Sequence, residues 1–367
     1  MIKYIGSKRR LVPVLGEICS AVGARTAVDL FTGTTRVAQE FKRRGADVTA
    51  VDTARYSEVF AQCYIGVDGQ SVDQSELDDA LIDLSARPDV DGYVTQTFCR
   101  DSRFFQPHNG RRIDAIRDAI ERDYRGTWLY PVLLTSLIEA ADRVDSTTGV
   151  QMAYVKQWAA RSYRPLQLRV PELLAGAGRA VRGDACAVVG ELGTVDLAYL
   201  DPPYNQHRYF TNYHIWETLV AGDEPEHYGV ACKRTDARDL QTKSVFNDRR
   251  AVAGALATVI AELDAAVVAV SYNNEAWITI EELESMCRVH GAAVVTLAFD
   301  SKRYVGAQIG IHNPRGEKVG RVSHLRNVEY VVVAADEAIV RRIPVQPYDK
   351  WTADSGVKTW NVKDSSK

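Results

Sequence analysis

Very little net charge is left on this chain: 45 lysines and arginines against 48 acidic residues give −3 over 367 residues. A protein that coats polyanions needs a global basic field, so a histone-like role is excluded, while a local basic cleft is not. The six cysteines (Cys19, Cys63, Cys99, Cys186, Cys232 and Cys287) are scattered without a CxxC pair. That spacing builds neither a zinc knuckle nor a disulfide frame and fits a reduced, cytoplasmic protein. Seven histidines, His207, His214 and His312 among them, show no HxxxH or HExxH spacing, and no metal is expected. No run approaches the ~18 apolar residues of a membrane span, and Met1-Ile2-Lys3-Tyr4 opens without an apolar signal core. The GxxxxGK phosphate loop is missing, which argues against an ATPase. GxGxxG is missing too, so a single nucleoside is favoured over a dinucleotide.

What is present supports a full core: 46% of the residues are hydrophobic and 25% charged. The length suits two domains, or one domain with a large insertion. Residues 9–23 read as an amphipathic helix with Leu11, Leu15, Ile18 and Val22 on one side. A strand, Ala27 to Phe31, leads through Thr32-Gly33-Thr34-Thr35 into a helix that Gly45 closes, and a second strand, Val48 to Val51, ends in Asp52. This βαβ opening predicts a parallel sheet and an α/β fold. From about 66 to 180 strand signals fade and helical patterns take over, at 111–124 and 127–141. The α/β rhythm resumes with a strand at 195–200, a helix at 250–264, a strand at 266–271, a capping box at Thr279-Ile280-Glu281-Glu282 and a helix to 290. Strands at 292–299 and 328–334 follow, joined by a basic loop with Lys302, Arg303, Arg315, Lys318, Arg321 and Arg326, and a polar tail begins near 345. We therefore expect a core of residues 1–65 and 181–340, a mainly helical insertion of 66–180, and a C-terminal tail of 341–367.

The tetrapeptide Asp201-Pro202-Pro203-Tyr204 carries the most chemistry. It directly follows the buried strand Val195 to Leu200, and two prolines force a sharp turn where that strand ends. Open α/β sheets place ligands there. The turn offers a carboxylate, a ring and carbonyls, which are the acceptors and the stacking face that an exocyclic amine on a flat base requires. By chance such a match arises on the order of once in several hundred chains of this size, so a plain surface turn is the weaker reading. A second constellation, Asp29-Leu30-Phe31-Thr32-Gly33-Thr34, is a strand, a small-residue turn and a helix N-terminus. Asp52 lies 19 positions beyond Gly33, the spacing at which an acid meets ribose hydroxyls in nucleoside-binding sheets, although a plain βαβ unit has the same pattern.

Taken in order, Tyr4-Ile5-Gly6-Ser7-Lys8, the Asp29-to-Thr34 turn, Asp52, Gly183-Asp184 and Asp201-Pro202-Pro203-Tyr204 resemble the alpha-class, Dam-like adenine-specific DNA methyltransferases. The resemblance extends through Arg111-Arg112-Ile113-Asp114-Ala115-Ile116-Arg117, Asn205 to Glu217 and Ser271-Tyr272-Asn273, and covers most of residues 1–335. It implies a doubly wound, Rossmann-like methyltransferase sheet with an inserted helical domain, and S-adenosylmethionine as cofactor. Asp29 and Phe31, Thr32, Gly33 and Thr34 would border its methionine moiety, Asp52 its ribose and Asp184 its adenine amine. Tyr4 and Lys8 would close over the methionine end, with Lys8 reaching toward the target base. Asp201 and the Pro202 carbonyl would hold the target amine, and Tyr204 would stack on a base flipped from double-stranded DNA. In the insertion, Arg103, Arg111 and Arg112, with Arg100 and Arg117, are candidate DNA contacts, as are Lys302 and Arg303 in the basic loop; solvated helix faces would look the same. One departure is Thr35, where the family usually has glycine and a Cβ would narrow the cofactor pocket. An RNA adenine or DNA cytosine amino-methyltransferase, or a catalytically silent nucleic-acid-binding subunit, remains an alternative. A restriction or defence-system partner is a further expectation.

Overall fold

The computed structural model describes residues 2–6, 8–206, 208–302, 326–343 and 358–359. The chain alternates helix and strand at its start: α1 (Val12–Val22), β1 (Thr26–Asp29), α2 (Arg36–Arg43), β2 (Asp47–Asp52) and α3 (Arg55–Ala61). Helices α4 (Gln74–Ala86), α5 (Pro107–Tyr124) and α6 (Leu129–Val144) follow, then β3 (Arg179–Arg182), α7 (Ala185–Val188) and β4 (Val195–Leu200). Beyond the Pro-Pro turn come α8 (Tyr209–Asn212), α9 (His214–Ala221) and a small hairpin, β5 (His227–Tyr228) with β6 (Lys233–Arg234). The chain continues through α10 (Val252–Glu262), β7 (Ala265–Asn273), α11 (Ile280–Cys287), β8 (Ala293–Lys302), β9 (Arg326–Ala335) and β10 (Lys358–Thr359).

These elements pack as two compact units. One combines Met1–Ser7, Thr32–Asp184 and His207–Ser244; the other combines Lys8–Phe31, Ala185–Gln206 and the described residues from Val245. In the first unit the helical segment packs together with β2 and β3.

In the unit that carries β4, the strands run in the order β10-β8-β9-β7-β4-β1. β1 and β4 are parallel, as are β4 and β7, while β9 lies antiparallel between β7 and β8. Leu197, Ala198, Tyr199 and Leu200 are all buried, as befits a central strand covered on both faces. The helix α1 packs Val14, Leu15, Ile18 and Cys19 inward and ends at Gly23, whose φ of +71° is the left-handed cap that glycine adopts at no steric cost. The expected capping box is formed: Glu282 N–H donates to Thr279 Oγ1 and Thr279 N–H donates to the Glu282 carboxylate.

In the other unit β2 and β3 pair in parallel with Asp52 opposite Arg182. α5 and α6 bury Ile113, Ile116 and Ile120 with Leu133 and Leu137, the apolar faces expected from their spacing. β3 escaped the sequence reading for a physical reason: Arg-Ala-Val-Arg is half-exposed and carries no apolar run. Buried polar side chains hold the joints here. Lys42 donates to the carbonyls of Tyr64, Ile65 and Val67, and Glu217 accepts the Arg55 N–H at the start of α3. Among the described residues no helix is long and apolar enough to cross a membrane. The basic loop from 303 to 325 and most of the tail lie outside the described residues.

Candidate active site

β4 stops at Leu200, so Asp201 is the first residue beyond the sheet. The Asn247 side-chain amide donates to the Asn205 carbonyl at 2.7 Å and pins the far end of the turn. Lys8 Nζ lies 3.0 Å from Asp201 Oδ1 and 3.7 Å from Glu329 Oε1, with only 6% of the lysine side chain exposed against 19% and 18% of the two carboxylates. A buried ammonium must be paired, and here two acids share it. Burial pushes the Asp201 carboxyl up to about 6; Lys8 opposes that rise and Glu329 adds to it. Burial also disfavours the Lys8 ammonium, yet Asp201 and Glu329 outweigh it and hold the group well above the ordinary lysine value. The Tyr204 ring meets Tyr272 edge-on, with centroids 6.1 Å apart and planes at 75°, and lies 5.9 Å from Lys8 Nζ. The Ser271-Tyr272-Asn273 motif thereby acquires functions: Ser271 accepts the Tyr199 hydroxyl at 2.8 Å, Tyr272 supports Tyr204, and Asn273 stands in register with Glu329. Asp29, buried, and Phe31, whose ring meets Phe246 at 5.0 Å, belong to this same unit.

The turn after β1 is organised separately, within the other unit. Asp52 Oδ2 accepts the Gly33 N–H at 2.8 Å and Asp52 Oδ1 the Ala54 N–H at 3.0 Å. Burial raises this carboxyl and three backbone N–H groups oppose the rise. Gly33 has φ +52°, and a Cβ there would come within 3.1 Å of the Tyr4 ring. That ring stacks on Tyr213 at 4.7 Å and Tyr209 at 5.4 Å, and its hydroxyl lies 3.4 Å from that of Tyr56. Thr32 and Thr34 are buried beside the turn, and Asp184 follows β3, where Gly183 N–H donates to the Asp52 carbonyl. These residues fit a nucleoside with an amino-acid tail. Glycine keeps the turn open, and each Asp52 oxygen retains a lone pair for a hydroxyl. Thr35 holds the left-handed conformation, φ +61°, which explains why glycine suits this position. Its hydroxyl accepts the Gln39 side-chain amide at 2.8 Å in a fully buried bond.

The candidate DNA contacts separate by what they touch. Arg112 donates to the carbonyls of Leu84, Ser85 and Arg87 and so closes the C-terminal end of α4. Arg117 does the same for α9 through Leu219 and Val220, and the buried Asp114 accepts the N–H groups of Gly92, Val94 and Thr95. Arg111 faces Asp89 at 3.5 Å, and Arg100 pairs with Asp91. The half-exposed Arg103 stacks 4.8 Å from the Trp158 ring centroid. Lys302 closes β8, and Arg303 lies outside the described residues. Sequence reasoning missed Glu329. It sits mid-strand in β9, and only the register across β7 and β8 brings it to Lys8. It missed the tyrosine stack as well, although Tyr209 and Tyr213, four residues apart, were a legible signal.

The chain's sequence matches the pattern of the D12 class N6 adenine-specific DNA methyltransferases over residues 4–286. It is 29% identical over 300 residues to the Type II methyltransferase M.NlaIII of Neisseria lactamica, covering 78% of this chain and 87% of that protein. It is 28% identical over 314 residues to the Type II methyltransferase M.CviAII of Paramecium bursaria Chlorella virus 1, covering 81% and 90%. With the modification methylase StsI of Streptococcus sanguinis it shares 30% identity over 309 residues, 78% of this chain but 46% of that longer protein. The α/β architecture, the mostly parallel sheet and this match agree: the chain belongs to the D12 class N6 adenine-specific DNA methyltransferase family.

Proposed function

We propose that this adenine-specific DNA methyltransferase binds S-adenosylmethionine with Tyr4, Lys8, Asp29, the turn from Phe31 to Thr34, Asp52 and Asp184, and methylates the 6-amino group of an adenine flipped out of duplex DNA. The cofactor supplies an electrophilic methyl group. The observation that carries the reading is the Asp201 carboxylate beyond β4, with Oδ1 on Lys8 and Tyr204 alongside. The amine lone pair of adenine is delocalised into the ring and attacks poorly. Asp201 Oδ2 and the Pro202 carbonyl accept the two N–H bonds, which favours a tetrahedral nitrogen whose lone pair faces the methyl group. Transfer would then be a displacement assisted by positioning. The nitrogen–methyl bond forms as the sulfur–methyl bond breaks, leaving a neutral thioether, and the surplus amine proton passes to solvent. The base is inaccessible in a stacked duplex, and Tyr204 offsets part of the unstacking cost; stacking on an aromatic ring is worth roughly 1–3 kcal/mol per base. The segment 66–180 grips the DNA, with Arg103 and Arg111 as contacts. The enzyme works in the cytoplasm as the modification arm of a restriction-modification or defence system.

Purified protein, unmethylated duplex DNA and methyl-labelled cofactor test this. Nucleoside analysis should recover N6-methyladenine, and single-molecule sequencing should place it in one sequence context. Label in cytosine, in RNA alone or nowhere would overturn the reading.

A further inference from the structure

Glu329 lies outside the matched residues 4–286 and outside every motif of the sequence. We propose that it is the positioning residue that holds the Lys8 ammonium against Asp201 Oδ1, and so sets how strongly Asp201 accepts the target amine. This rests on the assignment of Asp201 as the amine acceptor.

The argument starts with the backbone. Glu329 is opposite Asn273 of β7 and opposite Phe299 of β8, so ladders on both sides fix its Cα. A side chain projecting from such a position is held more precisely than one on a loop. Lys8, by contrast, precedes α1 and has a long flexible stem. Left with Asp201 alone, its ammonium would settle where that carboxylate draws it and could engage both oxygens. The second anchor 3.7 Å away draws the ammonium off that carboxylate, which it meets at 3.0 Å on Oδ1; in this proposal the other oxygen, Oδ2, takes the amine.

Charge supports the same reading. Two carboxylates around one ammonium leave the cluster net negative, so Asp201 keeps acceptor strength that a closed one-to-one ion pair would quench. The ionisable groups around it are Lys8 from the N-terminal segment, Tyr199 from β4, Tyr204 from the turn and Glu329 from β9, with Asp29 from β1 acting on Tyr199. Among these Glu329 raises the proton affinity of Asp201 while Lys8 lowers it.

The test uses the full chain carrying Glu329→Gln, Glu329→Ala or Glu329→Asp. Single-turnover methylation is measured against pH at saturating cofactor and DNA, alongside both dissociation constants. Glu329→Gln should lower the plateau rate by about 10- to 100-fold, the scale for losing a partner that orients a reacting group. Its acidic limb should move to lower pH, because the charge that raised Asp201 is gone. Both dissociation constants should stay within about twofold, and Glu329→Asp, which restores the charge, should return part of the limb shift. A wild-type rate and limb in Glu329→Gln would overturn the proposal. So would a slower rate with an unmoved limb in both Gln and Ala variants, the signature of a purely structural residue. If the wild-type protein itself fails to methylate adenine, the underlying assignment fails instead.

Discussion

Asp201 follows β4 in one unit, Asp52 ends β2 in the other, and burial raises the proton affinity of both carboxyls. Their partners differ in kind. Asp201 is held by side chains, Lys8 directly and Glu329 through it, whereas Asp52 is held by the main-chain N–H groups of Gly33 and Ala54. A side-chain partner can be shifted or traded without unmaking the fold, so Asp201 can be tuned for reaction. A main-chain partner belongs to the turn itself, so Asp52 is a piece of the scaffold as well as the proposed ribose acceptor. The arginines differ in degree: Arg112 and Arg117 spend their donors on helix-end carbonyls, while Arg103 lies over an indole ring and gives one donor to the Lys156 carbonyl.

The largest effect should come from Asp201. Its replacement by alanine removes an acceptor from the developing charge and should cut single-turnover methylation by roughly 100- to 1000-fold, with cofactor affinity and melting temperature nearly intact. Asn retains one acceptor oxygen and should be milder; if Asn is as inactive as Ala, the carboxylate works as a base. Because the carboxylate is the active form, the wild-type rate should fall as pH drops through about 6.

Asp52→Ala tests the other side of the comparison. It should weaken cofactor binding by about 1.5–3 kcal/mol, the scale of a hydrogen bond to a charge. It should also lower the melting temperature, because the Gly33 and Ala54 amides lose their acceptor. Calorimetry that shows lost affinity with unchanged stability would break the proposed contrast with Asp201.

Next in size is the pair Arg112→Ala and Arg103→Ala. The first should cost roughly 1–2 kcal/mol of stability from unpaired helix-end carbonyls, with DNA affinity unchanged. The second should leave stability alone and reduce the salt slope of DNA binding by about one unit. Swapped outcomes would reverse the assignment of both arginines.

Glu217, another main-chain-held acid, gives a smaller, pH-dependent effect. Burial pushes it up to about 7, above an unfolded value of about 4.3. Below about pH 4 it is protonated in both states and contributes nothing. As pH rises toward 7 the unfolded chain ionises first, so stability falls, and above 7 the penalty is complete. Glu217→Gln cannot ionise, and urea titrations should show a flatter curve between about pH 4 and 7. The smallest effect is expected from Thr35→Gly: relief of the φ +61° strain and loss of the Gln39 bond oppose each other. Stability should change by no more than about 1 kcal/mol. Cofactor affinity should hold, because the hydroxyl engages Gln39.

Much of this was legible in order and spacing. The strand at 195–200 emerged with the expected bounds, and the capping box at 279–282 formed as read. Strong local signals, an apolar run closed by prolines and a reciprocal side-chain cap, need no partner to be recognised. Weak ones failed for the converse reason. β3 has four half-exposed residues, and α3 begins three residues after Asp52 with its first N–H bound to Glu217, 162 residues away. The arginines from Arg111 to Arg117 are candidate DNA contacts by sequence alone, and their internal partners were not legible there. The structure shows Arg112 and Arg117 donating to the end carbonyls of α4 and α9.

By itself the sequence determined the α/β class and the family. Those follow from periodicity and from short motifs whose chemistry is local. Tertiary structure alone decided which partners hold each charge. Glu329 is 128 positions from Asp201, and it becomes a partner of Lys8 only through strand register. Register depends on how whole strands align, a property that no local window of sequence contains.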